Sequence, residues 1–204
     1  MESSFLMTPD TPFNRENPEL FGLPPNAKRV FAGKIFDTWQ WPQKLFDGSE
    51  AIFEKIVRFP TTSVIATAGE KILLSNEEQP GAPPFRDFPG GRVDPGEAPL
   101  TAAKRELLEE TGMISDSWEL LQRWVCDGKI RWFIFNFIAR DCQKVAEVDI
   151  DAGEKISSKW IDFEELLMLS DDPKFRGREL KELFLRARFL PEKKEELRRK
   201  LFSS

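Results

Sequence analysis

"FPGGRVDPGEAPLTAAKRELLEETGM", running from Phe88 to Met113, opens on a glycine turn and closes in a helix crowded with carboxylates. The apolar positions Leu100, Ala103 and Leu107 recur at helical spacing, so the stretch predicts a helix over about residues 98–111. Gly112 is placed to end it. On that helix Glu106, Glu109 and Glu110 fall within an arc of about 100°. Three like charges on one face destabilise an isolated helix. A divalent cation reverses the sign of that effect and offsets the desolvation of the carboxylates. The turn ahead suits the same ion. Gly90 and Gly91 let backbone approach an ion or ligand closely, and the Gly90 carbonyl is a candidate metal ligand. Arg105 can brace neighbouring carboxylates through paired hydrogen bonds.

Composition narrows the chemistry. The chain of 204 residues has no histidine. That removes His-based nucleophile pairs, HExxH zinc sites and His general bases. A metal must then be held mainly by oxygen, which favours Mg²⁺. A general base is most simply a carboxylate. Formal net charge is −5, so broad attraction to nucleic acid or to an anionic membrane is not expected. "MESSFLMTPD" lacks the basic and apolar regions of a signal peptide, and "WFIFNFIA" is too short to span a bilayer. Two cysteines, Cys126 and Cys142, read as ordinary reduced residues, and the expected compartment is the cytoplasm.

Outward from the helix, the chain divides into four expected regions. Residues 1–27, rich in Pro and Asn, form an arm. Residues 28–60 hold N-terminal strands in "RVFAGKIF", "QWPQKLF" and "AIFEKIVRF". Residues 61–170 form the core. It has strands in "SVIATAG" and "EKILLSN", the helix, and two strands around "DGK". The acidic loop "AEVDIDAGEK", the strand "ISSKWI" and a short helix capped by Asp162 complete it. Residues 171–204 form two closing helices, the second beginning at Pro191. This order indicates an α+β or mixed α/β architecture.

The spacing from Gly91 to Met113 fixes seven identities and two aliphatic positions, which chance matches at on the order of 10⁻⁹ per window. It resembles the Nudix box, G-x5-E-x7-R-E-U-x-E-E-x-G-U with U aliphatic, at every defined position. "FPGG" also resembles the family's lead-in, and the element order agrees over most of Arg29 to Leu169. The resemblance implies a Nudix fold, a mixed sheet between helices with N-terminal antiparallel strands. It implies hydrolysis of a nucleoside diphosphate linked to another moiety. Glu106, Glu109, Glu110 and the Gly90 carbonyl are then the expected ligands of Mg²⁺, or of Mn²⁺. Arg105 and Glu97 are the expected bracing pair.

The segment before the box resembles the N-terminal strands of ADP-ribose and nucleotide-sugar pyrophosphatases. In that branch such strands build a homodimer and contact the substrate. The resemblance makes Phe31, Trp39, Trp41 and Arg58 candidate substrate contacts, although aromatic residues in strands more often belong to a core or interface. Related enzymes carry a glutamate base where this chain has its acidic loop, so Glu154 is the first candidate, with Asp149 and Asp151 behind it. The proline that many ADP-ribose pyrophosphatases carry after the box is absent. The expected activity is hydrolysis of ADP-ribose or a nucleotide sugar by a homodimer, without nucleic-acid or membrane partners. Hydrolysis of a nucleoside triphosphate or dinucleoside polyphosphate is the alternative, and a non-catalytic nucleotide sensor is the reading from another class.

Overall fold

The structure, a computed structural model, describes residues 7–149, 153 and 155–202. In chain order the strands before the helix are β1 (Lys28–Ala32), β2 (Phe36–Lys44), β3 (Glu50–Arg58), β4 (Thr61–Ala68), β5 (Lys71–Glu78) and β6 (Phe85–Asp87). Helix α1 (Pro99–Thr111) follows, then β7 (Met113–Ile114), β8 (Ser117–Cys126), β9 (Ile130–Arg140), β10 (Gln143–Lys144) and β11 (Lys155–Ile161). Helices α2 (Phe163–Met168), α3 (Arg178–Phe189) and α4 (Pro191–Phe202) close the chain. Among the described residues, no helix is long and apolar enough to cross a membrane.

The elements form two compact units. One holds the described residues up to Thr62, with Arg92–Ala102 and Arg123–Phe135. Its strands run β1-β2-β3-β9, antiparallel except that β3 and β9 pair parallel through Ile56↔Ile130 and Val57↔Arg131. The N-terminal segment belongs to this unit: Phe13 and Phe21 are buried, and the Phe13 ring meets Phe59 at 5.1 Å. Arg15 donates to both carboxylate oxygens of the buried Asp37. The expected strand at 29–36 is interrupted, because the Gly33 N–H donates to the Phe36 carbonyl at 2.9 Å and turns the chain there.

The second unit holds Ser63–Gly91, Ala103–Gln122 and the described residues from Asn136 onward. Its strand order is β9-β4-β5-β11, with β6 added to β5. Ile65, Ile72, Leu74, Ile138 and Ile161 from the strands pack with Phe163, Leu166, Leu180, Phe184, Leu197 and Leu201 from α2, α3 and α4. Asp162 caps α2 as expected, and Glu165 completes a reciprocal capping box. The short strands β6, β7 and β10 have no counterpart in the sequence reading, since two or three residues carry no measurable period.

Candidate metal and diphosphate site

Helix α1 begins at Pro99, where a missing N–H costs nothing, and stops at Gly112, whose φ of 69° lies in the left-handed region. Its carboxylates stand in the last two turns, and no basic residue occupies the final turn. The helix dipole places partial negative charge at that end, so the carboxylates there call for a cation. Part of the need is met internally. Arg105 Nη1 donates to Glu106 Oε1 and to Glu109 Oε2, both at 2.9 Å. The Gly90 N–H donates to Glu110 Oε2 at 2.9 Å, which ties the glycine turn to the helix. The Val64 N–H donates to the Pro89 carbonyl at 2.8 Å and fixes the other side of that turn.

Gly91 is required by space. A Cβ there would stand 2.4 Å from Glu106 Oε1, inside any permitted contact. Among the described residues no three acidic or thiol side chains close on one point, and the Arg105 guanidinium is bonded to both Glu106 and Glu109. The donor set still fits a hard divalent cation: three carboxylates and a carbonyl, gathered by one turn and one helix, with no sulfur or imidazole.

The acidic loop is anchored to the same helix end. Val145 and Ala146 donate their N–H groups to the Gly112 carbonyl at 2.8 and 3.1 Å, and the Asp149 N–H reaches the Glu109 carbonyl at 2.8 Å. The loop passes so close that a Cβ on Gly112 would stand 2.0 Å from the Ala146 carbonyl oxygen. Glu154 and Asp151 lie outside the described residues. In the first unit, the Asp94 N–H donates to Glu97 Oε2 at 3.2 Å.

The candidate substrate contacts are placed differently from one another. Phe31 is exposed on β1. Trp41 is half-buried, its ring 6.2 Å from Phe53 and its Nε1 donating to Gln43. Trp39 is 3% exposed and faces Phe21, so its ring is taken up inside the unit. Arg58 lies 3.8 Å from the centroid of Trp132 and 5.9 Å from that of Phe36. Burial lowers its pKa from the ordinary guanidinium value, and no carboxylate among the described residues pairs with it. Trp132, which the sequence reading did not single out, is held by an Nε1 hydrogen bond to Thr61 Oγ1 at 3.2 Å.

A second polar group was also missed. Asn136 is fully buried in β9; its amide donates to Glu179 Oε1 at 2.9 Å and accepts from Gln122 Nε2 at 3.1 Å. Glu179, in the first turn of α3, has its pKa raised by burial, and the Asn136 bond opposes that rise. Asp87 ends β6 immediately before Phe88-Pro89-Gly90. Burial, with Glu77 and Glu179 nearby, pushes its carboxyl up to about 8, while the Phe88 N–H and Arg176 pull the other way. The available signal was a lone Asn inside the apolar run "WFIFNFIAR".

A carboxylate helix, a glycine turn and an oxygen-only donor set on a mixed sheet are the chemistry that suits a divalent cation and phosphate oxygens. Comparison with known proteins names the family. The NUDIX domain matches residues 57–184, and the chain belongs to that family, whose hydrolases use divalent metal ions. An RNA pyrophosphohydrolase of Agrobacterium fabrum is 54% identical over 46 residues, covering 22% of this chain and 27% of that protein. The chain thus spans about a quarter of that relative's length. The RNA pyrophosphohydrolase of Bartonella bacilliformis is 31% identical over 122 residues, covering 48% of this chain and 69% of that protein. The solved structure of an ADP compounds hydrolase shares the fold, with a TM-score of 0.65, 19% identity, and coverage of 83% of this chain and 93% of that one.

Proposed function

We propose that this protein is a Mg²⁺-dependent hydrolase of the diphosphate in ADP-ribose or a related nucleotide sugar. The observation that carries the reading is the arrangement of the Gly90-Gly91 turn on Arg105, Glu106, Glu109 and Glu110. Glu106, Glu109, Glu110 and the Gly90 carbonyl would hold the cation, which when bound neutralises the diphosphate and acidifies a water. Arg105 keeps Glu106 and Glu109 in register while they exchange partners. A carboxylate of the acidic loop, Glu154 first and Asp149 next, takes the proton as water oxygen bonds to phosphorus. The bridging P–O bond breaks, and a nucleoside monophosphate and a sugar phosphate leave. Arg58, stacked on Trp132 and without a carboxylate partner among the described residues, is suited to a phosphate or a base, with Phe31 and Trp41 as further candidate contacts. The structural likeness to an ADP compounds hydrolase supports this substrate class.

The first unit supports the homodimer. Phe36, Ile52 and Ile56 remain exposed on one face of β2 and β3, among Thr38, Gln40, Glu54 and Arg58, a mixed surface suited to meeting a second copy. Cys126 and Cys142 are both unpaired, in keeping with the cytoplasm.

A second reading follows from the relatives, which are named RNA pyrophosphohydrolases: a 5′-terminal or free nucleoside triphosphate as substrate. Product analysis by ³¹P NMR decides between them. Pure protein with Mg²⁺ would be given ADP-ribose, an ADP-sugar, a dinucleoside polyphosphate, ATP and a 5′-triphosphate RNA in parallel. AMP with ribose 5-phosphate as the dominant products is the expected result. Turnover confined to the triphosphates moves the substrate to the second reading, and binding without turnover of any of them makes the protein a sensor.

A further inference from the structure

Helix α1 has an entry that its own sequence leaves open. A helix presents unsatisfied N–H groups in its first turn, and a Ser, Thr, Asp or Asn just ahead ordinarily accepts one of them. Pro99 removes one donor, but position 98 is alanine and offers no side-chain acceptor to the next donor, Leu100. The acceptor comes instead from the N-terminal segment, where the Pro9 carbonyl takes the Leu100 N–H at 3.0 Å. The same segment fastens the loop that leads into the helix. The Phe13 N–H donates to the Glu97 carbonyl and the Phe13 carbonyl accepts from the Gly96 N–H, each at 2.7 Å. Two residues that exchange both backbone bonds form the tightest unit of an antiparallel ladder.

The segment is anchored at both ends. Met7 is fully buried and its carbonyl accepts from Arg123 Nη1 at 2.8 Å. The buried Phe13 ring meets Phe21 at 6.0 Å and Phe59 at 5.1 Å. Between the anchors Thr8 and Thr11 close a turn through their hydroxyls and backbone. All these residues belong to the first unit. A terminal arm is ordinarily loose unless it is tied down, and this one is tied to the loop between the glycine turn and the carboxylates. Gly90, Glu106, Glu109 and Glu110 can share one cation only while that turn and that helix keep their places. We propose that Met7–Phe13 is a strap that positions the carboxylate helix, with Phe13 as its positioning residue and the Pro9 carbonyl as the helix's N-terminal cap. This rests on the reading of the protein as a metal-dependent hydrolase and adds to it a part of the chain outside residues 57–184.

Amide hydrogen exchange by NMR on the full chain reads the cap directly. The wild-type Leu100 amide should exchange about tenfold or more slowly than an open amide. Phe13→Ala should speed that exchange by about tenfold and weaken Mn²⁺ binding, read by EPR, by about threefold or more. At saturating Mg²⁺ it should lower kcat on ADP-ribose by about tenfold, with KM within about twofold. The lost ring also lowers Tm through the core. Adding Ala98→Ser to Phe13→Ala separates the two effects. The serine hydroxyl is a new cap, so exchange, Mn²⁺ affinity and kcat should return most of the way while most of the Tm loss stays. Wild-type affinity and kcat in Phe13→Ala overturn the proposal, as does a loss that Ala98→Ser leaves untouched or a wild-type Leu100 amide that exchanges freely. Should Phe13→Ala not fold, Pro12→Gly, at an exposed position where proline stiffens the strap, replaces it on the same terms. A protein that turns over no nucleotide loses the hydrolase reading, whereas the exchange and Mn²⁺ measurements still decide the strap.

Discussion

The two units close their apolar surface in different ways. In the second, the strand residues Ile65, Ile72 and Leu74 find Phe163, Leu166 and Phe184 within the same unit. In the first, β2 and β3 bury Asp37, Trp39 and Val57 on one face and leave Phe36, Ile52 and Ile56 exposed on the other. That outer face also carries Thr38, Gln40, Glu54 and Arg58, the polar side chains that a half-solvated antiparallel sheet ordinarily turns outward. The difference teaches that α2, α3 and α4 cover the strands of the second unit from within, whereas β2 and β3 keep three large apolar side chains open on their outer face.

Core truncation gives the largest effect. Phe184→Ala should cost about 3–5 kcal/mol in denaturant unfolding, since the fully buried ring touches Phe88 and Phe175 and its removal leaves a cavity. A loss below about 1 kcal/mol would show that the second unit is not closed in the way described. Glu110→Gln should lower kcat on ADP-ribose by about 100-fold or more with an unchanged Tm, because the amide still accepts the Gly90 N–H but brings no charge. Full activity in that variant removes the metal assignment.

Asp87 sets a pH slope. Its folded-state pKa of about 8 lies above the ordinary 3.8, so the native protein binds the extra proton between those values. Stability should therefore fall as pH rises from 4 to 8 and level off beyond. Asp87→Asn should flatten that slope and raise Tm by several degrees at pH 8, with little gain near pH 4. Asp162→Ala should cost about 1 kcal/mol by removing one half of the capping box. Ile56→Asp should change unfolding by no more than about 0.5 kcal/mol, yet halve the mass seen by light scattering. A wild-type protein that already scatters as a monomer breaks the comparison at its outer face.

The carboxylate helix was legible because its residues keep a fixed spacing. Glu106, Glu109 and Glu110 must share a face, and Gly91 must leave room for Glu106, so identities are fixed residue by residue. The long elements were legible for a related reason, since α3, α4, β8 and β9 run long enough to show a period. The turn at Gly33 was hidden because "RVFAGKIF" reads as strand on either side of it. Asp87, Glu77 and Glu179 come from three separate elements of the chain, and no local pattern announces that burial brings them together. Trp39 and Trp41 stand two apart and share one face of β2, so period alone could not tell that one is enclosed and the other half-open.

The Arg58–Trp132 stack has an optical consequence. The chain contains six tryptophans and no tyrosine, so its near-ultraviolet emission is indole emission alone. A guanidinium held 3.8 Å from the Trp132 centroid alters the field felt by that excited ring. Any anion that draws Arg58 away releases the ring from it. The protein thus carries an intrinsic reporter at one of its candidate contacts, readable by colour and intensity without a label.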